Sequence, residues 1–301
     1  MKYGHILAAV AAEIWAVDAM KLEAIVGFLT LQAAGEKFTA EQIEAKIAPQ
    51  TARAVARREG AVAIVPMRGV IANRMPLVTE TSTGGGASSE QIGAQLRQAL
   101  DDESVKAIII DCDSPGGNVQ GTDEVSAMIA ANRGGKPIVA QIAGDCASAA
   151  YWACASCDEI VMNGSSEIGS IGVYTVHDDI SAALEKLGVK KALIGAGKFK
   201  AEMAPFHALS DEARDYTQSR VDAYYDMFVG RVATGRNVDT DAVRNGFGQG
   251  RMVGAGQALK MRMADRIGTM QDTLARFGVT SSTAPRTGAF ATQREKRALQ
   301  L

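Results

Sequence analysis

The chain has little of what marks a disulfide-built domain, a metal protein or a nucleic-acid binder. It carries four cysteines in 301 residues, and a chain of that length can build its own core without a disulfide framework. Cys154-Ala155-Ser156-Cys157 has redox-motif or zinc-ligand spacing. It lies in an alanine-rich stretch expected to be helical, with neither a second cysteine pair nor a histidine pair spaced to complete a site. Core packing is its expected role, and no metal, nucleotide or other cofactor is called for. A net charge of -2 gives no electrostatic reason to expect nucleic acid or an anionic membrane as a partner. Only 5% of the residues are aromatic while 47% are apolar, so helices must pack closely through alanine and glycine. Long hydrophobic runs are missing too. The first apolar run, Ile6 to Ala12, is too short to span a bilayer. Glu13, Asp18, Lys21 and Glu23 follow it at helical spacing, and neither a basic start nor a small-residue cleavage site marks a signal peptide. An amphipathic helix and a cytoplasmic protein without a membrane span are expected.

What is present alternates between strand and helix. Residues 1–57 read as a helical arm, broken near Gly35 and at Pro49, with a capping-box pattern at Thr39 to Gln42. From Ala61 the pattern turns to strand. Thr81 to Ser89, with Gly84-Gly85-Gly86, reads as a loop that lacks the Gly-Lys-Ser/Thr of a phosphate-binding P-loop. Strands are expected at Lys106–Asp111, Ile138–Ile142 (broken by Gly144), Glu159–Met162 and Lys191–Ile194. Helices are expected at Gln91–Leu100, Thr122–Asn132, from Ala147, at Ile180–Leu187 and at Leu209–Val232. That alternation predicts an α/β class with a core of parallel strands. The expected domains are the arm (1–57), one α/β unit (58–277) and a flexible Ser/Thr/Pro-containing tail (278–301).

Ser148 follows a short apolar strand and opens an alanine-rich helix. A hydroxyl there lies near free N–H groups that stabilise negative charge, although a plain helix N-cap is the blander role. Asp113-Ser114-Pro115-Gly116-Gly117 could supply backbone N–H groups to an oxyanion, since two glycines allow close approach, or could be a simple turn. For a base the residues leave alternatives open. His177, with Asp178 or Asp179 nearby, would suit a triad. Lys200, among Phe199, Met203, Pro205 and Phe206, could be desolvated enough to lose its proton near neutral pH. Lys198 shares a face with Lys200 in an extended strand, so spacing does not choose between them.

Four motifs occur in order: Asp-Ser-Pro-Gly-Gly (113–117), Ala-Ser-Ala-Ala-Tyr (147–151), Gly-Ser-Ile-Gly-Val (169–173) and Lys-Phe-Lys with Pro205-Phe206 (198–206). The set resembles the signal peptide peptidase A (protease IV) family, over roughly residues 60–275. Gly254 to Gly268 resembles that family's closing helix-strand segment. The resemblance implies a Clp-protease/crotonase-like fold and a serine endopeptidase working through an acyl-enzyme. It implies Ser148 as nucleophile, Lys200 as general base and Ser170 as the hydroxyl orienting the lysine. Oxyanion donors would be the N–H groups of Gly116 or Gly117 and of Ala149. Ala149-Ala150 stands where the family usually has Gly-Gly, and Arg262-Met263 where Gly-Leu is common. The helical arm, single catalytic unit and Ser/Thr-rich tail resemble the phage and prophage head-maturation branch. That branch implies protein substrates such as portal or scaffold proteins, a homo-oligomer, and work in the host cytoplasm or the assembling procapsid. Alternative expectations are a signal-peptide-degrading peptidase, a crotonase-type acyl-CoA enzyme that uses carboxylates instead of Ser148, and a non-catalytic capsid assembly protein.

Overall fold

The computed structural model describes residues 15–17, 57–73 and 86–279. Strands β1 (Trp15–Val17), β2 (Arg57–Glu59), β3 (Val62–Arg68), β4 (Ile71–Ala72) and β5 (Ala87–Ser88) precede helix α1 (Ser89–Asp101). Strand β6 (Ala107–Ser114) runs into β7 (Gly116–Asn118), followed by α2 (Thr122–Ala131), β8 (Ile138–Ala147) and α3 (Ala149–Cys154). Next come β9 (Glu159–Met162), β10 (Glu167–Gly169), α4 (Ser181–Lys186), α5 (Asp211–Arg236) and α6 (Thr240–Gly246). The described chain closes with β11 (Met252–Gly254), α7 (Ala255–Lys260), β12 (Arg266–Ile267) and α8 (Met270–Arg276).

The central sheet has the order β11-β10-β8-β6-β3-β2, and its inner strands β3, β6, β8 and β10 pair in parallel. Strand β9 pairs with the first half of β8, and β12 lies outside it. Parallel strands covered on both faces need apolar residues at every position, which is why Ala107-Ile-Ile-Ile110 runs without polar interruption. Successive side chains point to opposite faces. Ala63, Val65, Ile108 and Ile110 enter the main core with α1, α2 and α3, while Val62, Ile64, Ala107 and Ile109 pack with Leu274 of α8. Ser88 caps α1 by accepting from the Gln91 N–H, Ser210 caps α5 by accepting from Ala213, and Thr269 with Asp272 closes a capping box on α8. A second sheet, ordered β1-β7-β4-β5, leaves the end of β6.

The parallel α/β core agrees with the sequence reading, and three local expectations change. Strand β8 does not stop at Gly144. Its register against β6 jumps from Cys112↔Ile142 to Ser114↔Cys146, so Ala143 to Asp145 form a bulge and the strand continues to Ala147. The Asp113 carboxylate accepts from the Asp145 N–H at 3.2 Å and leaves no room for a β-carbon on Gly144, so glycine marks the bulge. Lys191–Ile194 is irregular and exposed instead of a strand, and it pairs with no strand of either sheet among the described residues. Trp15–Val17, placed in the helical arm from sequence, is a strand antiparallel to β7, since an unpaired edge there accepts its backbone. The other arm residues before Arg57, the capping pattern at 39–42 and the tail from 280 lie outside the described residues.

Helix α3 is wholly buried under α5. Trp152 stacks on Phe228 with centroids 4.8 Å apart, and Gly235 sits so close to the Ala155 carbonyl that no β-carbon fits. Arg236 clamps this corner. Its guanidinium donates to both Asp265 oxygens, at 2.9 and 2.6 Å, and to the Arg262 carbonyl at 3.0 Å. Asp265 also accepts from the Ile160 N–H at 2.8 Å. Burial alone would raise the Asp265 carboxyl, but the Arg236 hydrogen bonds and charge outweigh it and hold it below the usual carboxylate range. A carboxyl so lowered contributes stability above its unfolded pKa, near 3.9, and loses it as pH falls through the folded value. Asp265→Asn is therefore expected to cost about 1–3 kcal/mol at pH 7, less than a fully buried pair because solvent reaches the carboxylate. Urea denaturation from pH 7 down to pH 3 should show the gap between variant and wild type closing on the acid side.

Candidate active site

Three parallel strands, β6, β8 and β10, end side by side. Ser114 of β6 pairs with Cys146 of β8, and Ala147 of β8 pairs with Gly169 of β10. Just past these ends stand the Gly116-Gly117 turn, Ser148 and Ser170, at the carboxyl ends of the strands where open α/β sheets place their ligands.

Ser148 joins β8 to α3 with φ 53° and ψ −117°, a region that non-glycine residues rarely occupy and that costs of order 1–3 kcal/mol. Neighbours on three sides hold it there. Its N–H donates to the Gly169 carbonyl at 2.7 Å, and its carbonyl accepts from the Trp152 N–H at 2.8 Å. Gly116 lies against it, since a β-carbon on Gly116 would fall within 3.0 Å of the Ser148 β-carbon and of the Ala147 carbonyl oxygen. Ser148 stands at the N-cap position without using its side chain as a cap, and its Oγ lies 3.5 Å from the Gly172 carbonyl oxygen. The bland capping role is thus not the one this hydroxyl performs. Helix α3 has only six residues, so its dipole is small and the sharp turn is the larger influence. A strand-to-helix elbow with a strained serine is the geometry of activated acyl-transfer nucleophiles.

Of the expected oxyanion donors, Ala149 opens α3 and so has no intrahelical acceptor for its N–H. The Gly116 N–H donates to Ser114 Oγ at 3.1 Å, and that hydroxyl donates to the Gly69 carbonyl at 2.7 Å. Gly117 is then the member of the pair whose N–H Ser114 does not take. It lies flat on β4, with the Ile71 carbonyl where its β-carbon would be. Ser170 has φ 52° and donates its N–H to the Arg251 carbonyl at 3.0 Å.

Among the described residues no hydrogen bond joins Ser148 to any of the candidate bases within one chain. Lys200 lies on an exposed turn, its N–H donating to the Gly197 carbonyl at 3.1 Å. Among the described residues no hydrogen bond joins it to Ser148 or Ser170. Lys198 differs from Lys200 in being paired, with Glu212 at 3.0 Å. His177 Nε2 lies 3.2 Å from the His207 carbonyl oxygen, and Asp179 accepts from the Ser181 N–H at 2.9 Å; among the described residues no hydrogen bond joins His177 to Ser148, Asp178 or Asp179.

Two features escaped the sequence reading. Ser114 braces Gly116 through a serine-turn contact two residues on, a pattern visible in Ser-Pro-Gly. Trp15–Val17 lies against β7, and nothing in its sequence signals that placement. The cysteines that the fold gathers are Cys112, Cys146 and Cys154, whose sulfurs lie within 4.8 Å of one another, and not the Cys154/Cys157 pair. All four thiols are free and buried. Among the described residues no helix is long and apolar enough to cross a membrane.

Comparison with known proteins gives the lineage. The sequence profile of peptidase family S49 matches residues 130–281. A "Putative signal peptide peptidase SppA" of Enterococcus faecium is 35% identical over 60% of this chain and 52% of its own length. The "Capsid assembly protease C" of Escherichia phage lambda is 34% identical over 71% of this chain and 51% of its own. The chain thus spans about half the length of these two relatives. A ClpP1 mutant from Listeria monocytogenes aligns in structure with 70% of this chain and 94% of its own, at 12% identity and a TM-score of 0.44. With the profile covering half of its length and the serine elbow inside the match, the chain belongs to peptidase family S49.

Proposed function

We propose that the chain is a serine endopeptidase in which Ser148 is the nucleophile and Lys200 the general base. The observation that carries this reading is the strained, buried Ser148 elbow wedged against Gly116 at the ends of three parallel strands. A neutral Lys200 amine would take the Ser148 Oγ proton as the oxygen attacks a peptide carbonyl. N–H groups of Gly117 and Ala149 would receive the oxyanion, an effect worth about 3–4 kcal/mol per donor. The lysine would then protonate the leaving amine, and water would release the acyl group. Ser170, one residue past the pairing of β10 with β8, would orient the amine.

Lys200 comes to Ser148, in this reading, from another copy of the chain. Residues 176–200 leave large apolar side chains uncovered, among them Leu187 (75% exposed), Leu193 (57%), Ile194 (96%) and Phe199 (49%). So many exposed large apolar side chains in one segment suit a surface that a partner covers, and covering it would desolvate Lys200 and favour its neutral form. The relationship to a phage protein named "Capsid assembly protease C" supports capsid precursor proteins as the substrates.

Ser148→Ala is expected to lower casein cleavage by about 10⁴-fold or more, and Lys200→Ala by about 10²–10⁴-fold. Only proteins retaining Ser148 should take a fluorophosphonate label. Full activity in Lys200→Ala would return the base to His177. Mixing the two inactive variants under exchange of subunits should restore cleavage if the dyad closes between copies, and a mixture as dead as its parts would confine the dyad to one chain. Mass spectrometry of co-expressed portal or scaffold protein should show Ser148-dependent products, and intact precursors would remove the capsid assignment.

A further inference from the structure

The groove beside Ser148 is filled by the chain itself. Ala16 and Val17 are 1% and 3% exposed, and Ser148 beneath them is 1% exposed. Strand β1 runs antiparallel to β7 with Trp15 opposite Asn118, Ala16 opposite Gly117 and Val17 opposite Gly116. Its other edge is held as well. The Trp15 N–H donates to the Tyr174 carbonyl at 2.9 Å, and the Tyr174 N–H donates to the Trp15 carbonyl at 3.1 Å. The strand is therefore paired along β7 on one side and pinned at Trp15 to the segment beyond Ser170 on the other.

The register says which carbonyl faces the nucleophile. In an extended strand the N–H and C=O of successive residues point to opposite sides. Both backbone groups of Trp15 point to Tyr174, so those of Ala16 point to β7, in register with Gly117. The Ala16 carbonyl oxygen and the Ser148 β-carbon both lie within 3.0 Å of the point where a Gly116 β-carbon would stand. A carbonyl carried by a small residue is thus next to the serine and directed at the turn expected to hold an oxyanion. Addition of a strand to an exposed edge is also how extended peptides are commonly recognised.

We propose that Trp15–Val17 is the chain's own substrate strand, which keeps other peptides out of the groove until Ser148 cuts the Ala16–Val17 bond. This rests on the peptidase reading above. Ser148 Oγ adds to the Ala16 carbonyl carbon and gives its proton to the base. The C–N bond to Val17 breaks as the base returns that proton to the Val17 nitrogen, and water then hydrolyses the ester to an Ala16 carboxylate and free Ser148. The substrate class is an extended peptide with a small aliphatic residue before the cut.

The test follows the intact mass of the full chain over time, alongside casein digestion by the same samples. Wild type should release residues 1–16 and expose Val17 as a new N-terminus, with casein digestion accelerating as it does so, while Ser148→Ala stays uncut. Ala16→Trp cannot be seated in the buried groove, so it should escape that cut and digest casein without a lag. Ser148-dependent casein digestion by a wild type that keeps its N-terminus, or is cut at another bond, overturns the inference and leaves the peptidase reading standing. Cleavage of Ala16→Trp at 16–17 as fast as wild type overturns it equally. If neither wild type nor Ala16→Trp digests casein, the peptidase reading falls and takes the inference with it.

Discussion

The structure turns on the shift of register between β6 and β8. Were the pairing of Cys112 with Ile142 simply continued, Ser114 would face Gly144 and Ser148 would lie two residues further beyond the end of β6. Ala143 to Asp145 stand opposite Asp113 alone, and the two extra residues are taken up in a bulge braced by the Asp113 carboxylate. Bulges bend a strand and re-aim the residues beyond the bend. Here the residue re-aimed is Ser148, which arrives beside Gly116 and level with Ser170, just past the end of the neighbouring strand. Neither glycine of the turn could carry a side chain, because backbone atoms of Ala16, Ala147 and Ile71 fill those positions.

Support for the elbow comes from behind. Helix α3 carries Ser148 at its start and is buried over its whole length, so any displacement of the helix would move the serine. Phe228 stacks on Trp152, and the buried Tyr151 hydroxyl donates to the Met263 carbonyl at 3.0 Å. Arg236 ties α5 to the segment around Asp265 and, through the Ile160 N–H, to β9. Strain at one backbone position is tolerated because so much packed structure determines it. The exposed first half of α5 and the segment before it have no such backing within one chain.

Much of this was legible in the residues. Unbroken apolar runs such as Ile108 to Ile110 announced buried parallel strands, and Gln91–Leu100, Thr122–Asn132 and Leu209–Val232 fell close to the observed helices. Ser148 and the two glycines could be named because their residue types and order restrict what the backbone can do. What stayed hidden depends on distant partners. Gly144 breaks the strand pattern locally, and only Asp113 on the adjoining strand turns that break into a bulge. Lys191–Ile194 has a strand-like composition, and it pairs with no strand among the described residues. Trp15–Val17 lies in a stretch whose residue pattern reads as helix, and its strand state is set by an edge about a hundred residues away. Lys200 lies in apolar company along the chain, yet those neighbours do not cover it in the folded subunit.

The groove is assembled from residues far apart along the chain: Ala16, Ile71, Gly116, Ser148, Gly169 and Arg251 meet within a few contacts of one another. Pairings between such distant segments form late and slowly as a polypeptide folds, because each must close a long loop first. A partly folded chain accordingly has the serine but no elbow and no turn to face it. The strained elbow and the glycine turn that faces it therefore arrive together, and only with the completed fold.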